Sequence, residues 1–227
     1  QPYDSGTQSA FLIDPSMIAT EEGRVWMLVD MFPESTGFSS ISQAGNGFVE
    51  AEDGNSYLGL TDADGAQYTL RGTEVYDAEG NKTQYTVDEG SAENAYHNKG
   101  DLYDDGEYVG NIYLSGQNTG NDSAPLQVLK TCYLWLTYSD DNGETWSNPV
   151  NISGMVKADW MKFCGTGPGF GIENQNGEHA GRLVFPIYYT NNSGFQSSAC
   201  IYSDDGGVTW HRGMSPNDAR GGNYGDS

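Results

Sequence analysis

Positive charge is scarce in this chain. Ten Lys and Arg stand against 32 Asp and Glu over 227 residues, a formal net charge of −22. Such a field repels phosphate backbones and anionic lipid, which argues against nucleic acid as a partner. Cysteine is scarce too: Cys132, Cys164 and Cys200 lie too far apart for a metal motif and are too few for a fully paired framework, so three buried free thiols are expected. His97, His179 and His211 are scattered singly and support neither a zinc site nor a nucleophile–His arrangement. No apolar run reaches the length of a membrane-spanning helix, and no basic stretch followed by an apolar one opens the chain as a signal peptide would. Sustained helical periodicity is also missing, apart from one turn expected over 155–163. The glycine-rich GTGPG at 165–169 lacks the Lys-Ser/Thr ending of a phosphate loop and reads as a tight turn into a strand. No cofactor and no metal are expected.

What the chain has is glycine and tyrosine, 31 and 15 of them, which suits an all-β protein with many turns. The stretch YSDDNGETW at 138–146 returns as YSDDGGVTW at 202–210, differing only at Asn142/Gly206 and Glu144/Val208. A copy at that spacing marks a repeated supersecondary unit. Around the second copy, GPGFGIEN, RLVFPIYYTN, SACIYSDDGGVTW and HRGM read as four successive antiparallel strands. Around the first, SAFLIDPSMIA, VWMLVDMF, TCYLWLTYSDDNGETW and SNPVNIS repeat the order with an interruption after the second strand. The interruption is rich in Tyr and carries the turns EDGN, DADG, DAEGN and DDGE. Residues 1–32 and 127–227 are therefore expected to form two blades of a β-propeller, with 33–126 as a small inserted β-domain. Two blades cannot close a ring, and each would leave an apolar face exposed, so remaining blades of the same polypeptide are expected as partners and the chain reads as a fragment.

In each copy Ser139 or Ser203 ends a strand, Asp141 or Asp205 follows two residues on, Gly143 or Gly207 permits positive φ, and Trp146 or Trp210 closes the motif over the hairpin. The acidic residues do not form the ligand ladder of a calcium loop, so the motif reads as structural.

The form Ser-x-Asp-x-Gly-x-x-Trp is the Asp-box pattern and resembles the repeats of sialidases and related six-bladed propellers. FLIDPSMI, WMLVDMFP, DWMKFCGTGPGFGI and NNSGFQSS resemble the bacterial sialidases (neuraminidases) that carry an inserted domain, intramolecular trans-sialidases among them. The resemblance implies an exo-α-sialidase that cleaves terminal α-linked sialic acid with retention, by hydrolysis or by intramolecular transfer. It also implies sialylated glycans as substrates and a secreted or cell-surface location. In that family three arginines grip the substrate carboxylate, an Asp serves as acid/base and a Glu-activated Tyr as nucleophile, a neutral phenol sparing a second negative charge beside the anion. Arg24, Arg71, Arg182, Arg212 and Arg220 match none of the arginine contexts, so the catalytic residues are expected outside this chain. By position, Ile13 and Asp14 match an Ile-Asp-Pro of the sugar pocket, and Tyr188 and Gln196 match residues facing the acylamino and glycerol groups. The other reading of the same residues is a non-catalytic Asp-box propeller or carbohydrate-binding module.

Overall fold

The structure, a computed structural model, describes residues 10–38, 41, 43–94, 98–115, 124–167 and 169–216. Residues 95–97 and 217–227, and with them His97 and Arg220, lie outside the described residues. The chain opens with β1 (Phe11–Ala19) and β2 (Val25–Phe32). Then come β3 (Phe48–Glu50), β4 (Ser56–Thr61), β5 (Gln67–Arg71), β6 (Glu74–Asp77), β7 (Lys82–Val87), β8 (Asp101–Asp104), β9 (Glu107–Asn111) and β10 (Gln127–Val128). Next are β11 (Tyr133–Ser139), β12 (Val150–Asn151), α1 (Ser153–Val156), β13 (Cys164–Gly165), β14 (Gly169–Phe170), β15 (Ile172–Glu173), β16 (Leu183–Thr190), β17 (Gln196–Ser203) and β18 (His211–Arg212). The helical turn α1 begins two residues before the stretch expected for it, because the Ser153 N–H bonds Asn151 Oδ1 and starts the turn there.

Two compact units result: Gln1–Leu12, Phe32–Gln43 and Gly47–Thr131 form the first, and Ile13–Met31, Ala44–Asn46 and Cys132–Ser227 the second. The first is built on an eight-stranded sheet in the order β10-β4-β5-β6-β7-β8-β9, with β3 beside β4. Its turns are the Asp-Gly segments of the sequence: Asp62 Oδ1 accepts the amides of Asp64 and Ala66, and Asp77 Oδ1 those of Glu79 and Asn81. Arg71 makes a two-pronged ion pair with Glu52 and stacks on the rings of Tyr57 and Tyr76. Gln127 and Val128 pair with Thr61 and Leu60, so the strand pairing of this unit extends past residue 126.

The second unit holds two sheets, β12-β11-β2-β1-β14 and β13-β16-β17-β18, the latter with β15 also on β16. Alternation along the strands sends Trp26, Leu28, Leu134 and Leu136 of one sheet and Phe185, Ile187, Tyr189, Ala199 and Ile201 of the other into one shared core. Cys132 and Cys164 are buried, but Cys200 is exposed, because it alternates with Ala199 and Ile201 and points away from that core.

The two repeated turns are built alike. Ser139 Oγ donates to Asp141 Oδ1 at 2.7 Å and accepts the Gly143 N–H at 2.8 Å; Ser203 Oγ does the same with Asp205 and Gly207, both at 2.8 Å. Each Asp then accepts the amide and hydroxyl of a Thr, Thr145 or Thr209, and each indole N–H donates to a glycine carbonyl three residues back. A feature not read from the sequence is an arginine on each turn: Arg24 pairs with Asp140 over the Tyr138 ring, and Arg182 pairs with Asp204 over the Tyr202 ring. The copies differ in burial. Trp210 is 1% exposed and packs on Trp26 and Phe185, whereas Trp146 is half-exposed.

Two outcomes follow from this geometry. Gly143 and Gly207 share a positive φ of about +90°, yet a Cβ at Gly143 comes no nearer than 3.8 Å to Trp146, while one at Gly207 falls 2.5 Å from the Trp26 ring. Gly143→Ala is expected to cost about 1 kcal/mol in urea unfolding, from backbone strain alone, and Gly207→Ala about 2–4 kcal/mol, since a buried indole must also shift. Hydrogen bonds from Thr145 and Thr209 hold the Asp141 and Asp205 carboxyls down to about 2. A depressed carboxylate stabilises the fold above the unfolded value near 3.8 and loses that contribution as pH falls toward 2. Thermal melts between pH 5 and 2 should therefore show a Tm decline that is shallower in the Asp205→Asn variant, which starts from a lower Tm.

Candidate functional site

The antiparallel order gives the second unit two unlike ends. The Asp-box turns lie where β11 and β17 finish. At the other end β1 and β17 begin and β2 and β16 finish, which brings Ile13, Asp14, Tyr188 and Gln196 to the end away from the turns. The inner edge between the sheets is broken into short pieces: Gly165 pairs with Tyr188, Gly169 pairs in parallel with Ser16, and Ile172 pairs with Val184. Gly171 permits this close crossing, since a Cβ there would lie 2.3 Å from the Val184 carbonyl. The glycine-rich segment is thus a path from one sheet to the next.

A groove of about 720 Å³ opens at this edge, lined among others by Gly167, Phe170, Tyr188, Gln196, Ser198 and Met214. Tyr188 and Gln196 reach it for different reasons. Tyr188 is half-buried with its ring 4.8 Å from that of Phe163, while Tyr189, the alternate residue, turns into the core. Burial first, and then the nearby charges of Asp30 and Asp14, raise the Tyr188 phenol above its usual range, so it stays a protonated donor. Gln196 faces Thr190 across the base of the hairpin and donates to its hydroxyl at 2.9 Å; its Oε1 is buried without a partner. The amide is thus held by its nitrogen, with its oxygen buried and unpaired.

Asp14 does not line the groove but is tied to it. Its backbone carbonyl accepts from Thr166 Oγ1 at 3.1 Å, and the same hydroxyl lies 3.0 Å from the carbonyl of Gly167, a lining residue. Ile13 is 37% exposed at the start of β1. Behind Thr166 sits Asp30, 1% exposed, with Oδ1 accepting the Thr166 N–H at 2.7 Å. Burial raises Asp30 to about 8 against the lowering effect of that bond, with the charge of Asp14 adding to the rise. Asp30 and Thr166 were not singled out from the sequence. The available signal was a lone Asp inside the apolar run VWMLVDMF, where a charge needs a reason.

Arginines are engaged elsewhere. Arg24 and Arg182 clamp the Asp-box turns, Arg71 pairs with Glu52 in the first unit, and Arg212 donates to the Val156 carbonyl at 3.0 Å. None of these four lines the groove. The surface here offers a phenol, an amide, a serine hydroxyl and a nearby carboxylate, which is hydrogen-bonding chemistry for a polyol. Among the described residues no cluster of His, Cys, Asp and Glu is arranged to hold a metal ion, and no helix is long and apolar enough to cross a membrane.

Comparison with known proteins places this arrangement. A family model for the BNR repeat-like domain matches residues 11–222. An anhydrosialidase of Macrobdella decora is 33% identical over 221 residues, covering 89% of this chain and 28% of the relative. An intramolecular trans-sialidase of Ruminococcus gnavus, solved with oseltamivir carboxylate, superposes with a TM-score of 0.74 at 32% identity, over 91% of this chain and 44% of that one. A leech intramolecular trans-sialidase, solved with 2,7-anhydro-Neu5Ac, gives a TM-score of 0.74 at 28% identity, over 90% and 32%. The chain thus spans less than half the length of these relatives. Sialidases are β-propellers, and the two sheets of the second unit, each with its Asp box, are blades of that fold. The match across nearly all of the sequence makes the chain a member of the BNR repeat-like domain family, on the branch that holds sialidases and intramolecular trans-sialidases.

Proposed function

We propose that the polypeptide containing this chain is a sialidase that releases terminal α-linked sialic acid from glycoconjugates with retention at the anomeric carbon. The observation that carries the reading is the gathering of Asp14, Tyr188 and Gln196 at the blade end away from the Asp boxes, at or beside one groove. Ile13 and Tyr188 would form the apolar side of the pocket, Asp14 would accept from a sugar hydroxyl, and Gln196 would meet the glycerol side chain. The similarity to two intramolecular trans-sialidases favours capture of the glycosyl group by a hydroxyl of the same sugar over capture by water. An extracellular or surface location follows from where sialylated glycans are found.

The remaining blades belong to the same proposal. Trp210 is sealed between two blades, but its counterpart Trp146 is half-exposed, and Val150 and Ile172 are exposed apolar residues. Faces of this kind are covered by neighbours in a propeller, and further blades would also supply the arginines, acid/base and nucleophile that no residue here matches. Residues 33–126 would be a β-domain inserted within the first of the two blades.

The test is turnover of the 4-methylumbelliferyl glycoside of sialic acid by the product of the complete reading frame. Release of fluorophore is expected from that product and not from the 227-residue chain. Mass analysis should find a sugar lighter by one water than free sialic acid. Asp14→Ala and Gln196→Ala should each raise KM by about 5–30-fold, the worth of one hydrogen bond at roughly 1–2 kcal/mol. Glycan binding without turnover by the complete product would instead establish the carbohydrate-binding reading.

A further inference from the structure

Asp30 has no evident structural reason to be an acid. It lies on the face of β2 that carries Leu28 into the core between the blades, opposite Leu134 in the register, and is 1% exposed. An apolar side chain of similar size would be cheaper there, because a buried carboxyl costs free energy unless its oxygens are satisfied. Only one is: Oδ1 accepts the Thr166 N–H at 2.7 Å, while Oδ2 is buried with no hydrogen-bond partner. The neighbouring backbone has been kept clear for it, since a Cβ at Gly165 would fall 2.3 Å from Oδ2.

Thr166 is itself fully buried and carries the contact onward. Its hydroxyl reaches the Asp14 carbonyl at 3.1 Å. Asp14 has a φ of +54°, a left-handed conformation that a non-glycine residue keeps only where its surroundings hold it. Pro15 follows, so no amide from the next residue contributes. The arrangement therefore runs from a buried acid, through one amide and one hydroxyl, to the backbone of a strained residue beside the groove.

We infer that Asp30 is a positioning residue of the proposed sugar site, acting through Thr166 to hold Asp14 in the left-handed conformation from which it meets the sugar. The inference rests on reading Asp14 as a sugar ligand. The raised titration of Asp30 fits the role: a carboxyl that keeps its proton near neutral pH places no second negative charge behind Asp14 or near an anionic sugar.

The test uses the complete polypeptide and the 4-methylumbelliferyl sialoside. Thr166→Val keeps the shape and removes the hydroxyl; it is expected to raise KM about tenfold with kcat changed less than twofold, and Thr166→Ser should restore KM. Asp30→Asn, which retains an acceptor for the Thr166 amide, should stay within about threefold of wild type, whereas Asp30→Leu should match Thr166→Val. Combining Asp30→Leu with Thr166→Val should add little to either alone, since both break one line of contact. Unchanged KM in Thr166→Val, failure of Thr166→Ser to restore it, or fully additive effects would overturn the inference. A second readout separates it from the functional reading. Amide hydrogen exchange at Asp14 and Ser16 should quicken at least tenfold in Thr166→Val, with β11 unaffected. If the wild type neither binds nor turns over sialosides, the sugar-site role falls together with the functional reading. Unaltered exchange would sink the positional link whatever the activity.

Discussion

The packing of Trp210 against Trp26 and Phe185 is the contact on which the second unit depends. A sheet of five strands buries one face only by lying on another sheet, and of the two tryptophans in that seam one, Trp210, is delivered by a turn rather than a strand. The Asp box fixes the turn from within: a serine hydroxyl holds an Asp and a glycine amide, the Asp holds a threonine, and the indole N–H closes onto the glycine carbonyl. Gly207 is needed twice, for its φ of +89° and because Trp26 occupies the space a side chain would take. Few groups in such a turn are free to move without releasing the tryptophan.

With one end of each blade committed to this job, the proposed sugar site lies at the other end. Strand direction does the sorting. Residues that begin β1 and β17 or end β2 and β16 share the far end, so Asp14, Asp30, Tyr188 and Gln196, spread over 183 positions of sequence, become neighbours of the same inner edge. Gly165 and Gly171 stand where the chain crosses that edge, and a side chain would meet Asp30 at the first and the Val184 carbonyl at the second.

Charge is arranged locally against a background of −22. Three arginines are spent on carboxylates: Arg24 on Asp140, Arg182 on Asp204, Arg71 on Glu52. A face proposed to adjoin an anionic sugar, with none of these arginines on it, gains from keeping its own acids neutral. Asp30 meets that need through burial, which raises its carboxyl to about 8.

The repeat made the hairpins legible, because seven shared residues with Gly and Trp at fixed offsets are a local code that needs no partner. The short apolar runs VWMLVDMF and SACIYS, bounded by turns, likewise read as strands. Other features depended on what came to lie opposite. Cys200 was expected to be buried like Cys132 and Cys164, but a period of two decides only which residues share a face, and the packing of the sheets decides which face is covered. Arg24 and Arg182 match no arginine context in the sequence, and only the fold sets each above a tyrosine and beside the first Asp of its box, Asp140 or Asp204. Likewise, Asp30 and Thr166 are 136 residues apart, and nothing local to either foretells the hydrogen bond between them. The sequence by itself determined the all-β class, the two repeated turns and the residues at strand ends, since those follow from short-range sterics and periodicity. Only the tertiary structure decided that Asp30 sits behind Asp14, because burial and strain are properties of the chains that happen to meet.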